Sequence, residues 1–203
     1  MADILSYSFD EYVKMVTSFH GSAAPGVLIG GYMVDLAYRN LSKGELYDVI
    51  CESTKCLPDA VQLLTPCTIG NQWLKIIDVG RYALTFYEKE SGVGVRVYLD
   101  WTLLDKCPGI RDWYLKLALK SNQNKDKILQ EIKEFGTDIL SIENVVVKIN
   151  SYDKTKKSSS VSICPSCNEA YRTSDGPICP VCKSKIIPCS FIKDLSSCQS
   201  YKS

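Results

Sequence analysis

Four cysteines near the C-terminus constrain this chain more than any other feature of its sequence. They form two Cys-x-x-Cys pairs, Cys164 with Cys167 and Cys179 with Cys182, and eleven residues separate the pairs. Each pair turns two thiolates toward one point, and two facing pairs make the tetrahedral sulfur shell that Zn²⁺ prefers. The pattern therefore predicts one structural zinc ion, held by all four cysteines in a small zinc ribbon.

The alternative for these cysteines is a pair of disulfides. The chain begins Met1-Ala2-Asp3 without a basic stretch, and its longest apolar segment, 26–34, is too short to cross a bilayer. We therefore expect a cytoplasmic protein. In that reducing compartment, ten cysteines favour metal or thiol chemistry over disulfides.

Length and charge suggest one main domain and a small module. The chain has 203 residues and 45% hydrophobic residues, which is enough for a real core. We expect a core domain at 1–150, a polar linker at 151–160, and the zinc ribbon with a tail at 161–203. The net charge is −3 over 1–150 and +4 over 151–203. This imbalance is too small to require a nucleic-acid partner, although it leaves that partner open.

Hydrophobic periodicity predicts five helices, at about 8–20, 25–40, 58–64, 109–120 and 125–135. Ser8 and Glu11 fit a capping box at the start of the first helix, and His20 stands near its end. Gly30 and Gly31 lie inside the second helix, where each glycine costs about 1 kcal/mol relative to alanine. Such a pair predicts close packing of another element against the backbone.

Alternating patterns predict strands at 46–51, 73–79, 82–87, 93–99 and 144–149. Short turns at 80–81 and 91–92 separate the middle three, so we expect them to form a sequential antiparallel meander. Strands and helices do not alternate strictly along the chain. The fold class expected is therefore α+β, with an antiparallel sheet, packed helices and a small zinc-ribbon domain.

Three stretches of the core carry a family resemblance. They are SFHGSAAPG at 18–26, CLPDAVQLLTPCTIGN at 56–71 and DVGRYA at 78–83. With the order of the elements, they show that residues 5–150 resemble the family of the formylmethanofuran dehydrogenase E subunit. Many members of that family also carry a C-terminal four-cysteine zinc ribbon, so the resemblance extends over the whole chain.

The first stretch departs from the family pattern at two positions. Family members typically read His-Gly-His-x-Cys-Pro-Gly, whereas here Ser22 replaces the second histidine and Ala24 replaces the cysteine. Serine and alanine cannot act as an imidazole and a thiolate do in binding zinc. His20 and Cys67 remain as candidate catalytic residues of the core, or as ligands of a second zinc ion.

A metal near His20 and Cys67 needs more ligands than these two side chains. Cys56, Cys51, an acidic group, a partner chain or water are the candidates to complete it. The alternative treats His20 as a helix-end residue beside the helix dipole and Cys67 as a small buried hydrophobe. His20 is nevertheless the only histidine in the chain, so it is the first candidate for acid–base work near neutral pH.

The resemblance implies a role near an enzyme that fixes CO₂ on methanofuran with a molybdenum or tungsten pterin. No part of the sequence supplies a pterin or iron–sulfur apparatus, so we expect an accessory or metal-handling protein rather than a catalyst acting alone. Two alternatives stay open, a zinc-ribbon adaptor for nucleic acid or protein, and a small-molecule enzyme that uses His20 and Cys67. A homodimer is also expected, and Cys189 and Cys198 in the tail are expected to be free thiols.

Overall fold

A computed structural model describes residues 4–41, 46–148 and 160–184, and it leaves the side chains of residues 120 and 184 undescribed. The chain divides into two compact units, Met1–Ile149 and Asn150–Ser203. Residues 151–159 of the expected linker lie outside the described part, and so do Cys189 and Cys198.

The first unit contains helices and short strands that do not alternate regularly along the chain. Its elements in chain order are α1 (Phe9–His20), α2 (Pro25–Arg39), β1 (Tyr47–Cys51), α3 (Leu57–Leu64), β2 (Leu74–Ile76), β3 (Ala83–Glu88), β4 (Val93–Leu99), a 3₁₀ helix (Trp101–Lys106), α4 (Pro108–Tyr114), a 3₁₀ turn (Lys120–Asn122), α5 (Lys125–Phe135) and β5 (Leu140–Val146).

The start of α1 is the capping box that the sequence predicts. The backbone N–H of Ser8 donates to the Glu11 carboxylate at 2.8 Å, and the Ser8 hydroxyl accepts from the Glu11 backbone N–H at 3.4 Å. The helix ends where Gly21 adopts the left-handed conformation, with φ of 85°. His20 is therefore the last helical residue, at the edge of the loop that leads to α2.

The five strands form one sheet in the order β2-β1-β3-β4-β5. The hairpin of β3 and β4 is antiparallel as predicted, but the meander prediction is wrong for β2. That strand pairs in parallel with β1, opposite Val49 to Cys51, and β1 separates it from β3. The reason is that α3 connects β1 to β2 as a crossover, which returns the chain parallel to the strand it left.

Helix α2 is the buried centre of the unit, and its paired glycines allow the close packing that the sequence predicts. A methyl group at Gly30 would stand 2.6 Å from the Cβ of Ala60 on α3, and one at Gly31 would overlap the ring of Tyr12 on α1. Real side-chain carbons do not approach so closely. Helices α1 and α3 can therefore lie directly against the α2 backbone.

Three predicted elements differ from their expected bounds by more than one residue. Strand β2 spans only Leu74–Ile76 instead of 73–79. Helix α4 ends at Tyr114 instead of continuing to about 120, because the chain turns at Lys116 with φ of 56°. The leucines that follow, Leu115, Leu117 and Leu119, are exposed. Strand β5 begins at Leu140, four residues earlier than predicted, because it pairs along the full length of β4.

The second unit is small. Strands β6 (Val161–Ile163) and β7 (Ala170–Arg172) form an antiparallel hairpin, followed by a 3₁₀ turn (Thr173–Asp175) and the short helix α6 (Pro180–Ser184). In the residues that the structure describes, every helix of either unit is too short or too polar to cross a lipid bilayer.

Candidate functional site

The four cysteines of the second unit converge on one point. Their sulfur atoms all lie within 4.8 Å of one another, and the Sγ atoms of Cys167 and Cys179 are 3.8 Å apart. A Zn–S bond of about 2.3 Å gives a tetrahedron whose edges are about 3.8 Å long. The sulfurs are not joined in disulfides, since all four cysteines are free thiols. This spacing fits a structural zinc ion.

The local backbone explains why the sulfurs face one another. Asn168 follows the first pair with φ of 62°, a conformation that asparagine adopts more readily than most residues. Its N–H donates to the Cys164 carbonyl at 2.9 Å, which closes the first knuckle. In the second pair, the N–H of Cys182 donates to the Cys179 sulfur at 3.4 Å, at the start of α6.

Electrostatics also favour a cation at this point. The pKa of Cys164 is lowered to about 6, chiefly because the backbone N–H of Cys179 donates to its sulfur. The pKa of Cys182 is raised to about 12, first by its contact with Cys179 and then by its other thiol neighbours. Four thiolates cannot coexist here without positive charge, and a divalent cation would supply it.

The first unit contains a second candidate site, a cavity of about 530 Å³. The loop between α1 and α2, the first turn of α2, the start of α3, and helices α4 and α5 bound it. Its lining residues are His20, Ser22, Ala23, Ala24, Pro25, Gly26, Leu28, Cys56, Trp113, Gln123, Lys125, Asp126, Ile128, Leu129 and Ile132. Ser22 and Ala24, the two departures from the family pattern, therefore stand in the wall of this cavity.

His20 forms a hydrogen bond with a carboxylate in the cavity wall. Its Nδ1 lies 2.5 Å from Oδ2 of Asp59, which is in the first turn of α3. When Nδ1 carries the proton of this contact, Nε2 keeps its lone pair. Among the described residues none bonds to Nε2, so the ring presents one free nitrogen for a ligand. The carboxylate fixes both the tautomer and the orientation of the ring.

Cys56 lines the same cavity from a strained backbone position. Its φ of 62° and ψ of −52°, with a 2.6 Å bond from the Leu57 N–H to the Lys55 carbonyl, define a γ-turn before α3. Such a conformation costs about 1–3 kcal/mol in a residue other than glycine. A methyl group at Gly26 would stand 2.9 Å from the Cys56 sulfur, so only glycine at that position lets the thiol approach α2.

Burial is the main cause that raises the pKa of Cys56, and the nearby Asp59 carboxylate raises it further. The thiol therefore carries its proton at neutral pH when no cation is present. A metal ion would reverse this preference, because the thiolate is the form that binds metals.

Tyr82 fixes the wall behind the thiol. Its hydroxyl donates to the Gly26 carbonyl at 2.5 Å, and its ring meets Trp113 edge to face with centroids 6.2 Å apart. Burial raises the pKa of this phenol well above its ordinary value, so it remains a donor. The hydrogen bond joins the residue before β3 to the first turn of α2 and so stabilises the shape of the cavity.

Cys67 does not line the cavity that His20 lines. It is 3% exposed, and its sulfur donates to the Tyr47 carbonyl at 3.4 Å. Burial raises the pKa of this thiol. Cys51 is also buried and donates to the Ser53 carbonyl at 3.0 Å. The structure thus brings His20 together with Cys56, the thiol that the sequence offers only as an additional ligand.

Within the described ranges, the four cysteines of the second unit are the only group of three or more potential metal ligands. In the core, His20 and Cys56 share a cavity, while Asp59 is already engaged by the histidine. Sequence reasoning missed Asp59 as the histidine's partner and α5 as the opposite wall.

Comparisons with known proteins agree with this architecture. The family described as "FmdE, Molybdenum formylmethanofuran dehydrogenase operon" matches residues 19–148, and the "FmdE treble clef zinc finger" matches residues 155–186. The crystal structure of a protein from Syntrophus aciditrophicus, described as like the E subunit (FmdE) of a tungsten formylmethanofuran dehydrogenase, is 49% identical. The two structures match over 92% of this chain and 98% of the Syntrophus protein, with a TM-score of 0.83.

A curated relative in Archaeoglobus fulgidus is described as a probable S-adenosyl-L-methionine-binding protein. It is 36% identical over 110 residues, which are 50% of this chain and only 28% of that relative. The chain thus spans just over a quarter of that protein's length. The resemblance read from the three motifs is confirmed: the chain belongs to the FmdE family and carries its treble clef zinc finger at the C-terminal end.

Proposed function

We propose that this protein is an accessory metal-handling protein with two metal sites of different strength. The four cysteines of the zinc finger hold one structural zinc ion, and the core cavity holds a second, exchangeable transition-metal ion. One observation carries the proposal: the His20–Asp59 contact faces a cavity that Cys56 also lines. A core domain at 1–150 and a zinc module at 161–203 are the corresponding parts of the chain.

The donor types select the metal. An imidazole nitrogen and a thiolate suit zinc, copper or nickel, whereas magnesium and calcium prefer oxygen ligands. A carboxylate behind a histidine orients the ring and raises its basicity toward the metal, and Asp59 stands in that relation to His20. Two protein donors leave coordination positions for water or a ligand, and such a site is expected to exchange its ion easily.

An accessory role fits the family better than catalysis by this chain alone. The family is named after the molybdenum formylmethanofuran dehydrogenase operon, and the solved relative is described as like the E subunit of a tungsten enzyme. Those enzymes depend on a pterin-bound metal, and this chain offers a cavity with two donors instead. We propose that it acts beside such an enzyme, in the cytoplasm, by binding or delivering a metal.

The test is cobalt loading of the purified full-length chain that already carries its zinc. We expect a second, weaker site whose cobalt spectrum shows thiolate-to-metal charge transfer. His20→Ala and Cys56→Ser should each abolish it, and Cys67→Ser should leave it unchanged because Cys67 lies outside the cavity. Loss of cobalt in the Cys67 variant alone would instead favour the His20–Cys67 site, and no second site in the unchanged protein would overturn the proposal.

Three further expectations concern partners. A homodimer is tested by native mass spectrometry, and an adaptor role of the zinc finger is tested by a salt-dependent gel shift with DNA or RNA. The name of the Archaeoglobus relative makes S-adenosyl-L-methionine a third ligand to test by calorimetry. Binding of S-adenosyl-L-methionine that survives Cys56→Ser and His20→Ala would place that activity outside the proposed metal site.

A further inference from the structure

In the part of the chain that the structure describes, the outer edge of strand β5 has no partner strand. β5 stands last in the sheet and pairs with β4 over its whole length, from Leu140 to Val146, without a bulge. The opposite edge of the sheet is β2, which has only three residues, Leu74–Ile76. Very short edge strands are one means by which proteins avoid pairing with other chains, and β5 does not use it.

The hydrogen-bond pattern shows which backbone groups point to this edge. At one end of the ladder, the Val147 N–H donates to the Gly92 carbonyl at 2.8 Å. Antiparallel strands alternate between bonded and non-bonded pairs, so the odd-numbered residues of β5 bond to β4. The N–H and C=O groups of Ile142, Asn144 and Val146 therefore point away from β4. Among the described residues, none bonds to these groups.

The side chains of these three residues form a narrow apolar strip with one amide in its middle. Val146 is 71% exposed, Ile142 is 37% exposed, and Asn144 between them is also exposed. Their neighbours on β4 include Val95 and Val97, which are buried in the core. The strip thus continues the core face of the sheet to its edge, where a partner could cover it.

A second copy of β5 matches this edge in geometry and in charge. Two copies that run antiparallel about Asn144 place Ile142 of each chain opposite Val146 of the other. This register pairs the free groups of all three edge residues, in roughly six hydrogen bonds. It also keeps the two Glu143 carboxylates from facing each other, which would be unfavourable. Within its own chain, each of them lies 3.5 Å from Arg96.

We infer that β5 pairs with β5 of a second copy of this chain and joins the two sheets into one. The inference goes beyond metal handling, and it rests on the homodimer expected with the proposed function, for which it names the interface. Ile142, Asn144 and Val146 do not line the core cavity. The interface can therefore hold or fail independently of the cobalt site.

The test measures the mass of the zinc-loaded full-length chain by native mass spectrometry and its dissociation by sedimentation. We expect a dimer with twice the chain mass of 22.7 kDa. The double variant Ile142→Lys with Val146→Lys should dissociate at least tenfold more readily, because lysines then face each other across the pair. The double variant Ile142→Lys with Val146→Glu should remain dimeric, because each lysine then faces a glutamate.

Val93→Lys is the matched control. Val93 is 57% exposed and lies opposite Val146 of its own chain, but it belongs to β4 and does not reach the edge. This variant should remain dimeric, and every variant must first show the thermal unfolding transition of the parent protein. A monomeric parent, a stable dimer of the variant with two lysines, or loss of the dimer in either of the other variants would overturn the inference.

Hydrogen exchange locates the interface in the parent protein without any substitution. The N–H groups of Ile142, Asn144 and Val146 should exchange at least tenfold more slowly in the dimer than in the diluted monomer. Equal exchange in a proven dimer would overturn this interface and leave the homodimer itself intact. The variant with two lysines should keep the cobalt site of the core, whereas absence of that site from a dimeric parent would overturn the metal-handling function alone.

Discussion

His20 and Asp59 are 39 residues apart in the sequence, and their Nδ1 and Oδ2 atoms are 2.5 Å apart in the structure. The contact joins the last residue of α1 to the first turn of α3. It orients the single imidazole of the chain with respect to the core cavity. The strength of the proposed metal site therefore depends on a residue that does not bind the metal.

Asp59→Asn should weaken cobalt binding in the core about 10- to 100-fold, the usual cost of removing a carboxylate behind a metal-binding histidine. The amide keeps the size of the side chain but loses the charge that makes the ring a better donor. Asp126→Asn is the control, because Asp126 lines the cavity without contacting His20. Competition with a chelator measures both affinities, and equal losses in the two variants would contradict the role given to Asp59.

Gly30→Ala should destabilise the core by up to about 2 kcal/mol. Alanine favours helix by about 1 kcal/mol over glycine, but overpacking of a well-filled core costs about 1–3 kcal/mol. The new methyl group would stand 2.6 Å from the Cβ of Ala60, so α2 and α3 would have to separate. Urea denaturation measures the change.

Gly70→Ala is the control for this substitution, because the nearest atom to the added methyl group is the Thr68 hydroxyl at 3.9 Å. We expect its midpoint of unfolding to stay near that of the parent protein. If the Gly30→Ala variant were as stable as the Gly70→Ala variant, that result would contradict the close packing of α3 against α2.

Alkaline pH should destabilise the core through its buried thiols. Burial raises the pKa of Cys51 and of Cys107 to about 11, from an ordinary value near 9. Between these two values the unfolded chain loses the proton and the folded chain keeps it. The stabilising contribution is therefore complete below pH 9 and is lost as the pH rises toward 11.

Urea denaturation in zinc-saturated buffer from about pH 7.5 to about pH 10.5 measures this loss. Replacing both cysteines by alanine removes the two titrating groups, so stability should fall less steeply with pH in that variant than in the parent protein. If other groups were responsible, the free energy of unfolding would fall equally with rising pH in the parent protein and in the variant.

Removal of zinc should unfold the second unit and leave the first unit folded. A structural zinc ion contributes about 10 kcal/mol or more to the folding of a small finger, and the side chains of β6 and β7 are mostly exposed, so little apolar burial can replace it. Hydrogen exchange after chelation should show loss of protection over 160–184 and unchanged protection over 46–148. Added zinc should restore the lost protection, and persistent protection without metal would contradict a structural role.

Local patterns were sufficient for much of this protein. The capping box of Ser8 and Glu11 marks the start of α1, and the glycine pair at Gly30 and Gly31 predicts a helix whose backbone is closely packed. The spacing of the four cysteines predicts their convergence, because short covalent loops restrict where each sulfur can go. The three motifs of the core also predict its family.

Long-range packing decided the rest. Strand β2 pairs with β1 instead of β3 because α3 crosses between them, and no local turn signal records that crossover. For the same reason, the sequence favoured Cys67 as the thiol to act with His20 and offered Cys56 only as an additional ligand, although Cys56 is the thiol that lines the cavity of His20. Gly26 admits Cys56 to the cavity wall, while Cys67 is buried against the Tyr47 carbonyl, and both facts depend on which elements meet in three dimensions.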